Sequence, residues 1–176
     1  MSYDIEMLRL PETGDRLAQA RAARRAEQIP PSTDEDERRA RLVADLIALE
    51  PSLYSAPYDK GASYGCVVTT DDSACHLPYI EIGIGRALVQ LSFSADADAV
   101  FQELERIIEV FERHGYVAYD PQTDSLLVSS PGFIQSRSSF ASTRDGVVAQ
   151  MQDRGETVVG IPHQRGAFWK IVGAVM

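Results

Sequence analysis

The segment RHGYVAYDPQTDSLL, Arg113 to Leu127, brings a histidine, two tyrosines, two aspartates and a glutamine together. These side-chain types donate, accept and transfer protons when a fold aims them at a common point. Two readings are open. In the first, His114 ends a helix and complements its dipole, Gly115 stops it, and Tyr116 to Tyr119 form a short strand. Asp120 and Pro121 then occupy the first two positions of a type I turn, and SLLV returns as the partner strand. In the second, Tyr119, Asp120 and Gln122 form a polar rim that receives a partner's side chains. The rim rests on crowding alone, since no reaction demands that spacing.

Other reactive groups are scattered. His76, His114 and His163 stand far apart with no H-x3-H or C-x-x-C spacing, so no metal site is predicted and no cofactor is called for. Cys66 with His76 or His163 would make a thiol–imidazole pair if the fold brought them together, and this is the basis of an alternative, enzymatic reading. Cys66 and Cys75 are otherwise idle thiols of a reducing compartment. The serines of QSRSSFAST lack a G-x-S-x-G elbow, and Gly83 and Gly85 form a bare G-x-G that leads into no helix, which excludes a nucleotide cradle there. In GIPHQRGAFWKIVG, Arg165 is a candidate interaction anchor beside the only tryptophan, Trp169, because Arg and Trp concentrate binding energy at interfaces. The other account of this segment is a hairpin loop with a buried Trp169.

The elements that must position these groups follow from periodicity. SYDIEMLRL alternates as a strand, with Tyr3, Ile5 and Met7 on one face. Thr13 is placed as the cap of a surface helix running to Pro30–Pro31. Ser32 and Glu35 form a capping box that opens a second helix, with Leu42, Val43, Leu46, Ile47 and Leu49 as its apolar stripe. Asp34, Glu35, Asp36 and Glu37 fill the first turn of that helix, at the positive end of its dipole. Residues 51–78 read as irregular apart from a strand at YGCVVTT. YIEIGIGRALVQLSF reads as a hairpin whose two-residue turn, Gly85–Arg86, sets Ile84 opposite Ala87, Ile82 opposite Val89 and Ile80 opposite Leu91. An amphipathic helix over 97–114 follows, then the hairpin of the opening segment. SRSSFASTRDG is predicted as a loop, STRDGVVAQMQDRG as a short helix capped by Ser142 and Asp145, and ETVVGIP and AFWKIVGAV as strands.

With 176 residues, 44% apolar and 24% charged, the chain has the composition of one globular domain. No run approaches the roughly 20 apolar residues of a membrane helix, and the N-terminus lacks the pattern of a signal peptide, so the expected location is the cytoplasm. Two lysines against fifteen arginines, with no asparagine, suggest a GC-rich coding bias and a bacterial source. The net charge is −9, and residues 1–125 hold 23 acidic against 12 basic side chains. Phosphate backbones are repelled by such a surface, which disfavours nucleic acid and is compatible with a basic protein partner.

MSYDI at the start and GYVAYDPQTDSLL after the long helix resemble a loose group of small bacterial cytosolic proteins, several of them similar to immunity proteins encoded beside secreted antibacterial toxins. The resemblance covers residues 1–10 and 80–128. It implies an acidic domain that binds and blocks a toxin without performing chemistry. Asp34, Glu35, Asp36 and Glu37, or the rim at Tyr119 and Asp120, would then meet basic residues of the toxin.

The expected fold is α+β, a mostly antiparallel sheet of about five to seven strands with helices 34–50 and 97–114 packed on one face. The expected function is a non-enzymatic, protein-binding immunity or inhibitor protein. Two alternatives stand beside it. One is a small enzyme using Cys66, His76 and His163, and the other is a homo-oligomer joined through FWKIVGAVM.

Overall fold

The structure is a computed structural model. It describes residues 3–24, 33–50, 52–57, 66–70, 78–93, 97–127, 130–154, 156–158 and 171–173. In chain order the elements are β1 (Tyr3–Arg9), α1 (Arg16–Ala23), α2 (Thr33–Ile47), β2 (Tyr54–Pro57), β3 (Cys66–Thr69), β4 (Tyr79–Ile82) and β5 (Arg86–Leu91). They continue with α3 (Ala97–Arg113), β6 (Tyr116–Asp120), β7 (Ser125–Leu126), α4 (Ser130–Asp153), β8 (Glu156–Val158) and β9 (Ile171–Gly173). The first seven strands form one antiparallel sheet in the order β2-β3-β4-β5-β1-β6-β7, and β8 pairs with β9 in a separate ribbon. The fold class is α+β.

Strand period decides which residues are covered. Tyr3, Ile5 and Met7 of β1 join Ile80, Ile82, Val89, Leu91, Tyr116 and Ala118 on one sheet face, where they meet Leu42 and Leu46 of α2 and the apolar stripe of α3. That stripe is Val100, Leu104, Ile107, Ile108 and Phe111, at helical spacing. α1 lies on the opposite face. Its Ala20 packs with Leu8 of β1 and Tyr119 of β6, which point away from the main core. The helices of 34–50 and 97–114 thus pack on one face as expected, and α1 adds a small cover on the other near β1 and β6.

Local chemistry explains other departures. Asp15, not Thr13, caps α1, because its carboxylate accepts the Leu17 and Ala18 N–H groups at 3.0 and 3.1 Å. In the β4–β5 hairpin Ile82 lies opposite Ala87 and Ile80 opposite Val89, two residues away from the expected register. The loop is Ile84–Gly85, with Gly85 at φ +64° in its second position, a conformation that suits a residue without Cβ. A slip of two leaves every side chain on its original face, so the core pattern was unaffected by the error. β2 arises inside the segment read as irregular and pairs with β3.

The largest correction is α4, a continuous helix of 24 residues through the stretch expected to be a loop. Serine and threonine usually favour caps and turns because their hydroxyls compete for backbone groups. Here packing overrides that preference. Phe140 is fully buried against the rings of Tyr3, Phe93 and Phe101, and Phe133 meets Phe101 edge-on. Ser142 and Asp145 lie inside the helix with exposed side chains, and cap nothing.

Candidate functional site

The opening segment is a hairpin whose polar groups are turned inward. Asp120 is 0% exposed and Tyr119 only 2%. One carboxylate oxygen of Asp120 accepts the N–H groups of Gln122 and Thr123 at 2.8 and 3.3 Å, closing an Asx-type turn. The other accepts the Tyr3 hydroxyl at 2.7 Å, across 117 residues of chain. That hydroxyl also lies 3.2 Å from the Ser136 carbonyl of α4, and Thr123 Oγ1 links to Ser125 and to the buried Ser136. Burial, with Asp120 adding, pushes the Tyr3 phenol well up, so it remains a proton donor at neutral pH. The network ties β1, the β6–β7 turn and α4 together.

Tyr119 faces α1 instead. Its hydroxyl donates to Asp124 at 2.7 Å, and the Arg24 guanidinium stands 5.9 Å over its ring. Asp124, at φ +51°, also receives Arg21, whose Nε lies 2.9 Å away. The Arg21 hydrogen bond, with Tyr119 second, holds the Asp124 carboxyl down at about 2. Thus Tyr119 and Asp120 are engaged inside the chain and present no rim. Gln122 alone of the three is exposed.

The acidic turn of α2 is divided in the same way. Glu35 is half-buried and accepts Arg9 Nη1 of β1 at 2.6 and 2.7 Å, which fixes the start of the helix to the sheet. Asp34, Asp36 and Glu37 are exposed, with Asp36 2.6 Å from Arg39 one turn on. The helix is held by Leu42 and Leu46 in the core, so these carboxylates stand on a fixed frame.

A feature that the linear sequence did not disclose lies next to this turn. Arg9 of β1, Arg38 and Arg41 of α2, Arg113 and His114 at the end of α3, and Tyr116 of β6 line a cleft of about 200 Å³. Among the described residues, Glu35 is the one carboxylate within ion-pair reach of the four guanidiniums, at 2.6 Å from Arg9 and 3.6 Å from Arg38. Asp45 sits 2.8 Å from His114 Nε2. Burial pushes the Tyr116 phenol up, and the charge of Arg9 works against that shift. The arrangement can hold an anion.

Cys66 lies partly buried at the start of β3, opposite Ile82 and Pro57. Burial pushes its thiol up while Arg39 opposes the shift weakly, a direction opposite to that of an activated nucleophile. His76, His163 and Arg165 lie outside the described residues, as do Cys75, Trp169 and the capping residue Ser32. Among the described residues no three His, Cys, Asp or Glu side chains are grouped to hold a metal ion, and no helix is long and apolar enough to cross a membrane. The chain matches no protein-family model, no curated protein and no solved structure.

Proposed function

We propose that this chain is a non-enzymatic, protein-binding domain that acts in the cytoplasm by occupying and neutralising a basic partner. The resemblance of residues 1–10 and 80–128 to immunity proteins makes a cognate antibacterial toxin the partner of choice. The observation that carries this reading is the rigidly mounted acidic turn of α2. Asp34, Asp36 and Glu37 are exposed, while Glu35 of the same turn is locked to Arg9 and the helix is seated in the core.

Preorganised charge of this kind speeds encounter with an oppositely charged surface and fixes its orientation, whereas tightness comes from buried anchors. The net charge of −9 acts in the same direction. Affinity capture of the tagged chain from the organism that encodes it, with mass determination of the eluate, tests the proposal. The expected result is a stoichiometric complex with a basic protein, whose association slows on the order of tenfold or more at low salt when Asp34 and Glu37 are reversed to Lys. A chain that elutes alone, and that gives no protection from a toxin encoded beside it, would overturn the reading.

A further inference from the structure

We propose that the cleft between the end of α3 and the middle of α2 is a binding site for a doubly charged oxyanion, of the class of a small phosphomonoester. Four guanidiniums converge on it from three elements: Arg9 from β1, Arg38 and Arg41 from α2, and Arg113 from α3. Guanidiniums placed this close repel one another unless counter-charge is supplied. Within the described residues Glu35 is the one carboxylate that reaches them, and it reaches only Arg9 and Arg38.

The negative end of the α3 dipole explains one basic residue, because it is worth only about half an elementary charge. It does not account for four. Arg41 and Arg113 are exposed and in ion-pair reach of no described carboxylate, so among the described residues nothing occupies their forks, which can take oxygen atoms. Glu35 is shared by Arg9 and Arg38, and Asp45 faces His114, which leaves two guanidiniums, Arg41 and Arg113, for the ligand to answer. A phosphomonoester, at roughly −1.5 to −2, fits that pair better than a single carboxylate and offers three acceptor oxygens. The Tyr116 phenol, which lines the cleft beside Arg9, is protonated at neutral pH and can donate. The volume of about 200 Å³ suits a compact phosphorylated molecule and falls below the roughly 300–1,000 Å³ of sites for larger ligands.

This site requires no protein partner, so it stands or fails separately from the toxin-binding reading. The test is calorimetric titration of the full chain at constant ionic strength with inorganic phosphate, with glycerol 3-phosphate and with acetate. Saturable binding of inorganic phosphate or glycerol 3-phosphate is expected, with acetate at least tenfold weaker. The tighter of the two phosphates shows whether free phosphate or an ester is the better fit. The variant Arg41→Ala/Arg113→Ala should lose at least tenfold in affinity, while Arg137→Ala, which removes a guanidinium paired with Asp98 outside the cleft, should bind as the parent does. Circular dichroism and the thermal midpoint without phosphate verify that each variant is folded. Absence of saturable phosphate binding, equal binding of acetate, or equal affinity in the double variant would overturn the proposal.

Discussion

The β6–β7 turn and the α2–α3 cleft are opposites. In the turn, reactive side chains follow one another along the chain, and nearly every polar atom is consumed by a partner inside the fold. In the cleft, the lining residues are spread from Arg9 to Tyr116, and Arg41 and Arg113 meet no carboxylate among the described residues. In this chain, density of chemistry along the sequence marks local structure, while the convergence of side chains distant in sequence is what the proposed anion site rests on.

The contrast breaks first at Asp120. Removing its carboxylate in Asp120→Ala leaves the N–H groups of Gln122 and Thr123 without their acceptor and the Tyr3 hydroxyl with only the Ser136 carbonyl, at 3.2 Å. At roughly 1–3 kcal/mol for each donor deprived in this way, the loss should reach about 3 kcal/mol, read from the urea midpoint. A near-neutral result would mean that water enters the turn and that it is not the closed knot described above.

Tyr3→Phe tests the same knot from the other side. It keeps the ring against Phe140 but deprives the second Asp120 oxygen of its donor, and should cost about 1–3 kcal/mol. In the cleft the expectation reverses. Arg41→Ala with Arg113→Ala should change stability by no more than about 0.5 kcal/mol in phosphate-free buffer, since both side chains are exposed and neither is in an ion pair with a described residue.

The smallest effect is at Asp124. Its carboxyl is held at about 2 by Arg21 and Tyr119, below its ordinary value of 3.8. A depressed carboxylate supports the folded state above the unfolded value and loses that support as pH falls through the folded one. Stability should thus decline between about pH 4 and pH 2. The pair is exposed, so the decline should be slight and should fade with added salt, as followed by unfolding at several pH values.

Much of the fold was legible because period and burial agree. β1 and α3 show their buried faces directly, and the β4–β5 hairpin kept its faces even in the wrong register. The second part of α4, from Ser142, was legible as a helix, but its first part was not, since a helix built on Ser136, Phe140 and a run of small polar residues has no amphipathic stripe to read. The acidic turn at Asp34–Glu37 was visible because its charges are contiguous. What could not be seen was that Glu35 is withdrawn by Arg9, a pairing between residues 26 apart. The cleft was hidden for the same reason: Arg9, Arg41 and Arg113 share no spacing, and only the end of β1, the middle of α2 and the end of α3 bring them together. Tyr119 and Asp120 looked like a rim because sequence does not tell which way a crowded turn points.

The most direct test sets the two acidic candidates against each other in one binding measurement. Captured partner is titrated against the parent chain, against Asp34→Lys/Glu37→Lys, and against Gln122→Ala, the one exposed residue of the expected rim. Binding through α2 predicts that the first variant associates on the order of tenfold or more slowly at low salt and that the second is indistinguishable from the parent. A partner that ignores the α2 charges and is lost on changing Gln122 would contradict it.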